Sequence, residues 1–202
     1  MADPVIRRAR SSRDGSQRVD ARGQAARADY LEYRIMFPIT DQLIRASFVN
    51  ATRKEISDLS LPPDFAERDW DRLDYLGWRD PKFTKRAYVV VPLDRPSGIE
   101  HVGVILRQAD ADPRTRAQCS WCQDVRLPND VVSFGARRSG HAGRNGNTVG
   151  ILICSNFECS VNVRRLPPVA YIGFDVEAAR EQRILELRER AQDFATSVRD
   201  DT

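Results

Sequence analysis

The sequence predicts an α+β protein: short N-terminal helices, then antiparallel strands around a four-cysteine zinc site, then one long C-terminal helix. Three observations predict it. Helix caps with apolar residues at helical spacing occupy the stretch from Thr40 to Leu73 and recur after Asp175. Between them lie apolar, β-branched runs of strand length. All the cysteines fall in two short pairs, Cys119-Ser-Trp-Cys122 and Cys154-Ser-Asn-Phe-Glu-Cys159, with 31 residues between the pairs.

Taken in order, residues 1–28 hold seven arginines, six of them up to Arg22, and only Val5, Ile6 and Val19 as sizeable apolar side chains, so a disordered Arg-rich tail is expected. Structure is expected to begin near Tyr30. Thr40-Asp41 offers an N-cap, and Leu43, Ile44, Ser47 and Phe48 follow at helical spacing. Thr52-x-x-Glu55 is a capping-box pattern for a second short helix, which Pro62 and Pro63 must end. Asp64-x-x-Glu67 is expected to cap a third helix running through Leu73. Asp74-Tyr-Leu-Gly-Trp78 reads as a turn whose Tyr75 and Trp78 anchor the core.

Residues 86–93 and 101–107 read as a hairpin around the turn-rich Asp94-Arg-Pro-Ser-Gly98. The unbroken Val89-Val90-Val91 run implies that both faces of this sheet are covered. His101 is assigned a strand-edge position without a catalytic role. Asp110-Ala-Asp-Pro113 breaks the chain before the first cysteine pair. Further strands are expected at 131–135, closed by Arg137-Arg138, and at 149–154, with the glycine-rich 139–147 as a mobile loop between them. After Pro167-Pro168 a helix capped near Asp175 should run to about Val198, with Ile184, Leu187, Ala191, Phe194 and Val198 on one stripe. The organisation expected is a tail over 1–28, helices plus hairpin over 29–112, a zinc-finger subdomain over 113–168 and the C-terminal helix over 169–202.

Zinc takes four tetrahedral soft or borderline ligands, and each cysteine pair can supply two of them from one tight turn. The same residues could form two disulfides or remain buried thiols. Disulfides need an oxidising compartment. The opening Met1-Ala-Asp-Pro-Val-Ile-Arg7-Arg8 lacks the apolar core of a secretory signal, so zinc and a cytoplasmic location are expected. Four protein ligands close the shell, which makes the ion a single structural Zn2+ and not a reactive centre. His141, in the glycine-rich loop, is the residue that could stand in for a missing cysteine.

The 202 residues carry 32 Lys and Arg against 29 Asp and Glu, a net charge of +3, but the distribution is uneven. Residues 55–74 hold seven acids against two arginines, and residues 114–165 hold eight arginines against three acids. The cysteine region is the basic half, which suits an acidic protein surface or RNA. Of the basic residues only Lys54, Lys82 and Lys85 are lysine. Arginine forks suit phosphate and carboxylate partners, although a GC-rich codon bias accounts for the same excess more plainly. Two histidines leave little for an imidazole-based triad. There is no Gly-x4-Gly-Lys-Ser/Thr loop, and Gly140-x-x-Gly143-x-x-Gly146 has the wrong spacing for a dinucleotide site. The zinc-deaminase pattern is absent too. No run approaches the roughly 18 apolar residues of a membrane span. The expectation is a binding module without enzymatic activity.

One combination in the sequence is specific. Asp74-Tyr-Leu-Gly-Trp78, a hairpin, Cys-x2-Cys, Val132-Ser-Phe-Gly-Ala-Arg-Arg138 and Asn147-Thr-Val-Gly-Ile-Leu-Ile-Cys154 with its Cys-x4-Cys follow one another. This order resembles the treble-clef zinc-finger module of the elongation factor G-binding proteins, the FusB-type group that includes fusidic acid resistance proteins. The resemblance covers roughly residues 39–198. It implies a four-Cys treble clef holding one structural Zn2+ on Cys119, Cys122, Cys154 and Cys159. It also implies binding to elongation factor G through the zinc-finger half, release of that factor from the ribosome, and fusidic acid tolerance without modification of the drug. The contact residues it implies are Phe134, Leu152 and Phe194. The charge pattern adds Arg137 and Arg138, an Arg pair beside an aromatic. A monomer without membrane association is expected. The competing reading is a sequence-nonspecific RNA or DNA binder that uses the basic zinc half and the arginine tail.

Overall fold

The computed structural model of the protein describes residues 36–110, 117–124 and 130–200. The expected tail over 1–28, the start near Tyr30 and the break at 111–113 lie outside those residues. Thr40 Oγ1 accepts from the Leu43 amide at 3.2 Å and starts helix α1, Asp41–Ser47. Thr52 and Glu55 make both bonds of the capping box and start α2, Arg53–Ser57. Arg45 joins the two helices. It pairs with Asp41 at 2.9 Å and donates to the carbonyl oxygens of Ile56 and Leu59 near the end of α2. Burial works to raise the Glu55 carboxyl, but the Thr52 hydrogen bonds and the charges of Arg107 and Arg86 outweigh it and hold Glu55 below the usual carboxylate range.

Two expectations for the next stretch are corrected. No third α-helix forms between Asp64 and Leu73; separate 3-10 turns occupy Phe65–Glu67 and Trp70–Arg72. Asp64 has φ −91° and ψ 16°, not the extended conformation of an N-cap, and its carboxylate turns to Arg68 at 3.0 Å. The segment read as a turn contains a strand, β1, Leu76–Arg79.

β1 is the edge of a five-stranded antiparallel sheet in the order β1-β2-β3-β4-β5. β2, Arg86–Arg95, and β3, Gly98–Gln108, form a long hairpin registered from Arg86↔Arg107 to Arg95↔Gly98. β4, Val131–Arg137, meets β3 only through Arg107↔Gly135 and Gln108↔Phe134 and then diverges from it. Asn50 bridges the split: its amide nitrogen donates to the Ile105 and Arg137 carbonyls, and its amide oxygen accepts from the Ile105 amide.

The glycine-rich segment after β4 is also corrected. It folds as a short helix, α3, Gly140–Arg144. A Cβ at Gly143 would lie 1.8 Å from the Arg138 carbonyl oxygen, so the turn closes because glycine stands there. β5, Thr148–Cys154, pairs with β4 along its full length. Then follow α4, Cys159–Arg164, and α5, Val176–Arg199. The Asp175 carboxylate accepts from the Glu177 and Ala178 amides at the start of α5. At the other end the Ser139 amide donates to the Val198 carbonyl, so the start of α3 satisfies one of the carbonyls that a helix terminus leaves unpaired.

Each face of the sheet carries a core. Val89, Val91, Val102, Val104 and Leu106 pack with the cysteines and with Leu187, Ala191, Phe194 and Val198 of α5. Tyr88, Val90 and Ile105 point the other way, against Met36, Ile44, Leu59 and Trp78. The valine run is buried on both sides as its composition implies, each large side chain contributing about 1.5–3 kcal/mol. No helix among the described residues is long and apolar enough to cross a membrane.

Candidate metal centre

β5 ends on Cys154 and α4 begins on Cys159, so the second cysteine pair occupies a strand-to-helix turn. The first pair lies in a turn closed by the Gln123 amide on the Cys119 carbonyl at 2.9 Å. The Ser120 amide donates to the Leu152 carbonyl at 2.7 Å and lays this turn against β5. Both turns contain a non-glycine residue in the left-handed region, Gln123 at φ 54° and Phe157 at φ 64°. Such residues cost about 1–3 kcal/mol and persist where their surroundings hold them. For Phe157 the surroundings are explicit. Its ring stacks on Phe134 with centroids 5.7 Å apart, and its carbonyl accepts the Tyr75 hydroxyl at 3.2 Å. Gly77 on β1 makes room for it, since a Cβ there would come within 2.7 Å of the ring.

These turns bring Cys119, Cys122, Cys154 and Cys159 together, all buried, with their sulfurs within 4.8 Å of one another. Cys119 Sγ lies 3.6 Å from Cys159 Sγ, and Cys122 Sγ lies 3.7 Å from Cys154 Sγ. A disulfide needs about 2.05 Å, so all four are free thiols. A tetrahedral zinc with bonds of about 2.3 Å has ligand–ligand edges of about 3.8 Å, and the cluster fits it. Burial pushes the Cys159 thiol well above its ordinary value, and the neighbouring sulfurs add to the shift. Hydrogen bonding from Cys122 leads the causes that hold Cys119 far below the usual thiol range. Four thiolates at this spacing need a dication among them, and one structural Zn2+ offsets half of their charge and completes its own shell with the four sulfurs. Its chemistry here is to cross-link the two turns.

Three groups support the cluster from outside. Asn162, three residues into α4 from Cys159, aims its amide nitrogen at Cys122 Sγ and Cys154 Sγ, 3.7 and 3.6 Å away. Trp121, inside the first turn, packs edge-on against Tyr75 at 4.6 Å and Phe194 at 5.9 Å. Asp74, fully buried, receives Arg188 Nε of α5 at 2.7 Å and Arg164 Nη1 of α4 at 2.5 Å, while its amide donates to Ser160 Oγ at 3.1 Å. One carboxylate thereby joins β1, α4 and α5. The cysteine spacing identified the thiols; the position of Asn162, one helical turn after a ligand, is the local signal that could have found it. Asp74 and its arginines had none, being 90 and 114 residues apart.

The residues expected to meet a partner fall in different environments. Phe134 and Phe194 are core residues, 1% and 6% exposed. Leu152 is half-buried against the same core. Arg137 is exposed and donates to the Asn50 carbonyl at 3.3 Å, and Arg138 is half-buried with a bond of 3.3 Å to the Asp200 carbonyl. His141 is exposed on α3, outside the cysteine cluster. His101 lies on β3 opposite Pro92, where burial lowers its imidazole from the ordinary value.

Comparison with protein families gives a match over residues 43–198 to the FBP C-terminal treble-clef zinc-finger model. No curated protein matches the chain.

Proposed function

We infer, from the fact that this chain belongs to the FBP C-terminal treble-clef zinc-finger family, the FusB-type domain, that it is a cytoplasmic, non-enzymatic adaptor that binds elongation factor G. The observation that carries this reading is the closed four-sulfur cluster. A zinc with four protein sulfurs has no position left for water or substrate, so its work is to fix a surface. That surface is the β4–β5 hairpin. Arg137 and Arg138 offer charge, Leu152 offers apolar contact, and Phe134 and Phe194 hold the hairpin from beneath. Binding energy realised only in one conformation of the factor biases it toward that conformation, which is how a passive monomeric adaptor promotes release from the ribosome and tolerance to fusidic acid.

Calorimetric titration of the zinc-loaded protein with elongation factor G at about 0.15 M salt tests the reading, since exposed charges beyond roughly 8 Å are then largely screened. A saturable one-to-one isotherm is expected, weakened about tenfold by Arg137→Ala, a loss of about 1.4 kcal/mol. Absence of heat from folded, zinc-loaded protein would discard the factor as partner.

A further inference from the structure

The divergence of β3 from β4 leaves a groove on the surface, and its lining is cationic. Near the paired end of the two strands is a depression of about 490 Å³ lined by Lys82, Lys85, Arg86 and Arg107 with Phe83, Thr84 and Gln108. At the far end is one of about 310 Å³ that includes Arg137, Arg138 and Arg144. A third depression of about 80 Å³ lies beside both: it shares Arg107 with the first and Asn50 and Arg137 with the second. Seven cationic side chains therefore line this row of three depressions with shared walls, and Glu55 is the single acid among their described lining residues.

The pairing along this row is unequal. Arg107 meets Glu55 at 2.6 Å, Lys85 meets Asp110, and Arg86 lies 3.9 Å from Asp80. Lys82, Arg137, Arg138 and Arg144 have no carboxylate partner among the described residues. The mouth also carries an aromatic surface. Phe83 is 48% exposed, and Arg86 Cζ sits 4.3 Å from its ring centroid. Its loop is held in place: Asp80 Oδ1 accepts the Lys82 and Phe83 amides at 2.8 and 3.0 Å, and the Arg86 amide donates to the Phe83 carbonyl at 2.7 Å. A positive groove with an ordered aromatic platform at one end matches the chemistry of a single nucleic-acid strand, whose phosphates follow the charges while a base stacks on the ring.

We propose that the groove from Lys82 and Phe83 past Asn50 to Arg144 binds single-stranded nucleic acid, with the phosphate backbone on its unpaired cations and one base on Phe83. The groove shares Arg137 and Arg138 with the surface assigned to the elongation factor, so the variants that separate the two readings are placed at Lys82, Phe83 and Arg144, which lie outside that surface.

Fluorescence anisotropy of zinc-loaded full-length protein with labelled 12-nucleotide oligouridine tests it. If Lys82, Arg137, Arg138 and Arg144 each neutralise one phosphate, affinity should fall about 50-fold between 50 and 200 mM salt. Phe83→Ala should weaken binding about tenfold. The double variant Lys82→Ala/Arg144→Ala should reduce the salt exponent by about 1.4. Both variants should keep the melting temperature, the zinc content and the affinity for elongation factor G. A deoxyuridine strand of equal length separates the sources: equal affinity assigns the groove to single strands of either sugar, and a preference for oligouridine assigns it to RNA. The proposal is overturned if no saturable binding occurs at 50 mM salt or if both variants bind as the parent does. Displacement of the oligonucleotide by polyglutamate of matched charge with equal potency would overturn it as well.

Discussion

A carboxylate without exposed surface is stable only where charges meet it, and Asp74 meets Arg188 and Arg164, whose side chains are 5% and 14% exposed. Removing its charge strands two guanidinium groups. Asp74→Asn keeps the shape and should cost about 3–5 kcal/mol, read as a lowered urea midpoint at unchanged zinc content. At this scale the sequence was legible where chemistry is local. The four thiols, the Thr40 cap and the reciprocal Thr52–Glu55 bonds were all visible as spacing. The Asp74 cluster was not, because its partners come from elements far along the chain. Phe134 and Phe194 were legible as apolar residues, but nothing in the sequence says that their rings turn inward, onto Phe157 and Trp121.

Among the elements, the long helix and the hairpin followed from periodicity and from β-branched runs, the signals that depend least on tertiary contacts. The misses at β1 and α3 share one cause. β1 is four residues long and is a strand because β2 pairs with it, and α3 winds through two glycines because Gly143 nests on the Arg138 carbonyl. Neither contact leaves a trace in local propensity. β1 also supplies a sharp test of packing. Gly77→Ala would drive a methyl into Phe157, whose backbone is already held at positive φ, and should cost about 1–3 kcal/mol in thermal unfolding. Gly150→Ala on β5, where a Cβ meets nothing within 4 Å, should stay within about 0.5 kcal/mol of the parent. Equal losses from both substitutions would refute the packing account.

For the whole molecule, the two cores are not independent. β2 and β3 supply alternate residues to each, so the metal-bearing face cannot loosen without disturbing strands that the other face needs. Stripping the zinc with a chelator should therefore lower the melting temperature in one cooperative transition, with far-ultraviolet dichroism and tryptophan emission changing together. Two separated transitions would mean that the N-terminal core stands alone. The seam between β3 and β4 has a consequence of a different kind. In a tight hairpin the connection fixes the register, so one inserted residue would turn every side chain over. These strands share only two residue pairs, and an asparagine side chain closes the remainder, so the connecting segment does not set the alignment of β4. One residue inserted into the segment that carries the first cysteine pair should therefore leave the β4 alignment unchanged, provided the turn itself still reaches the metal.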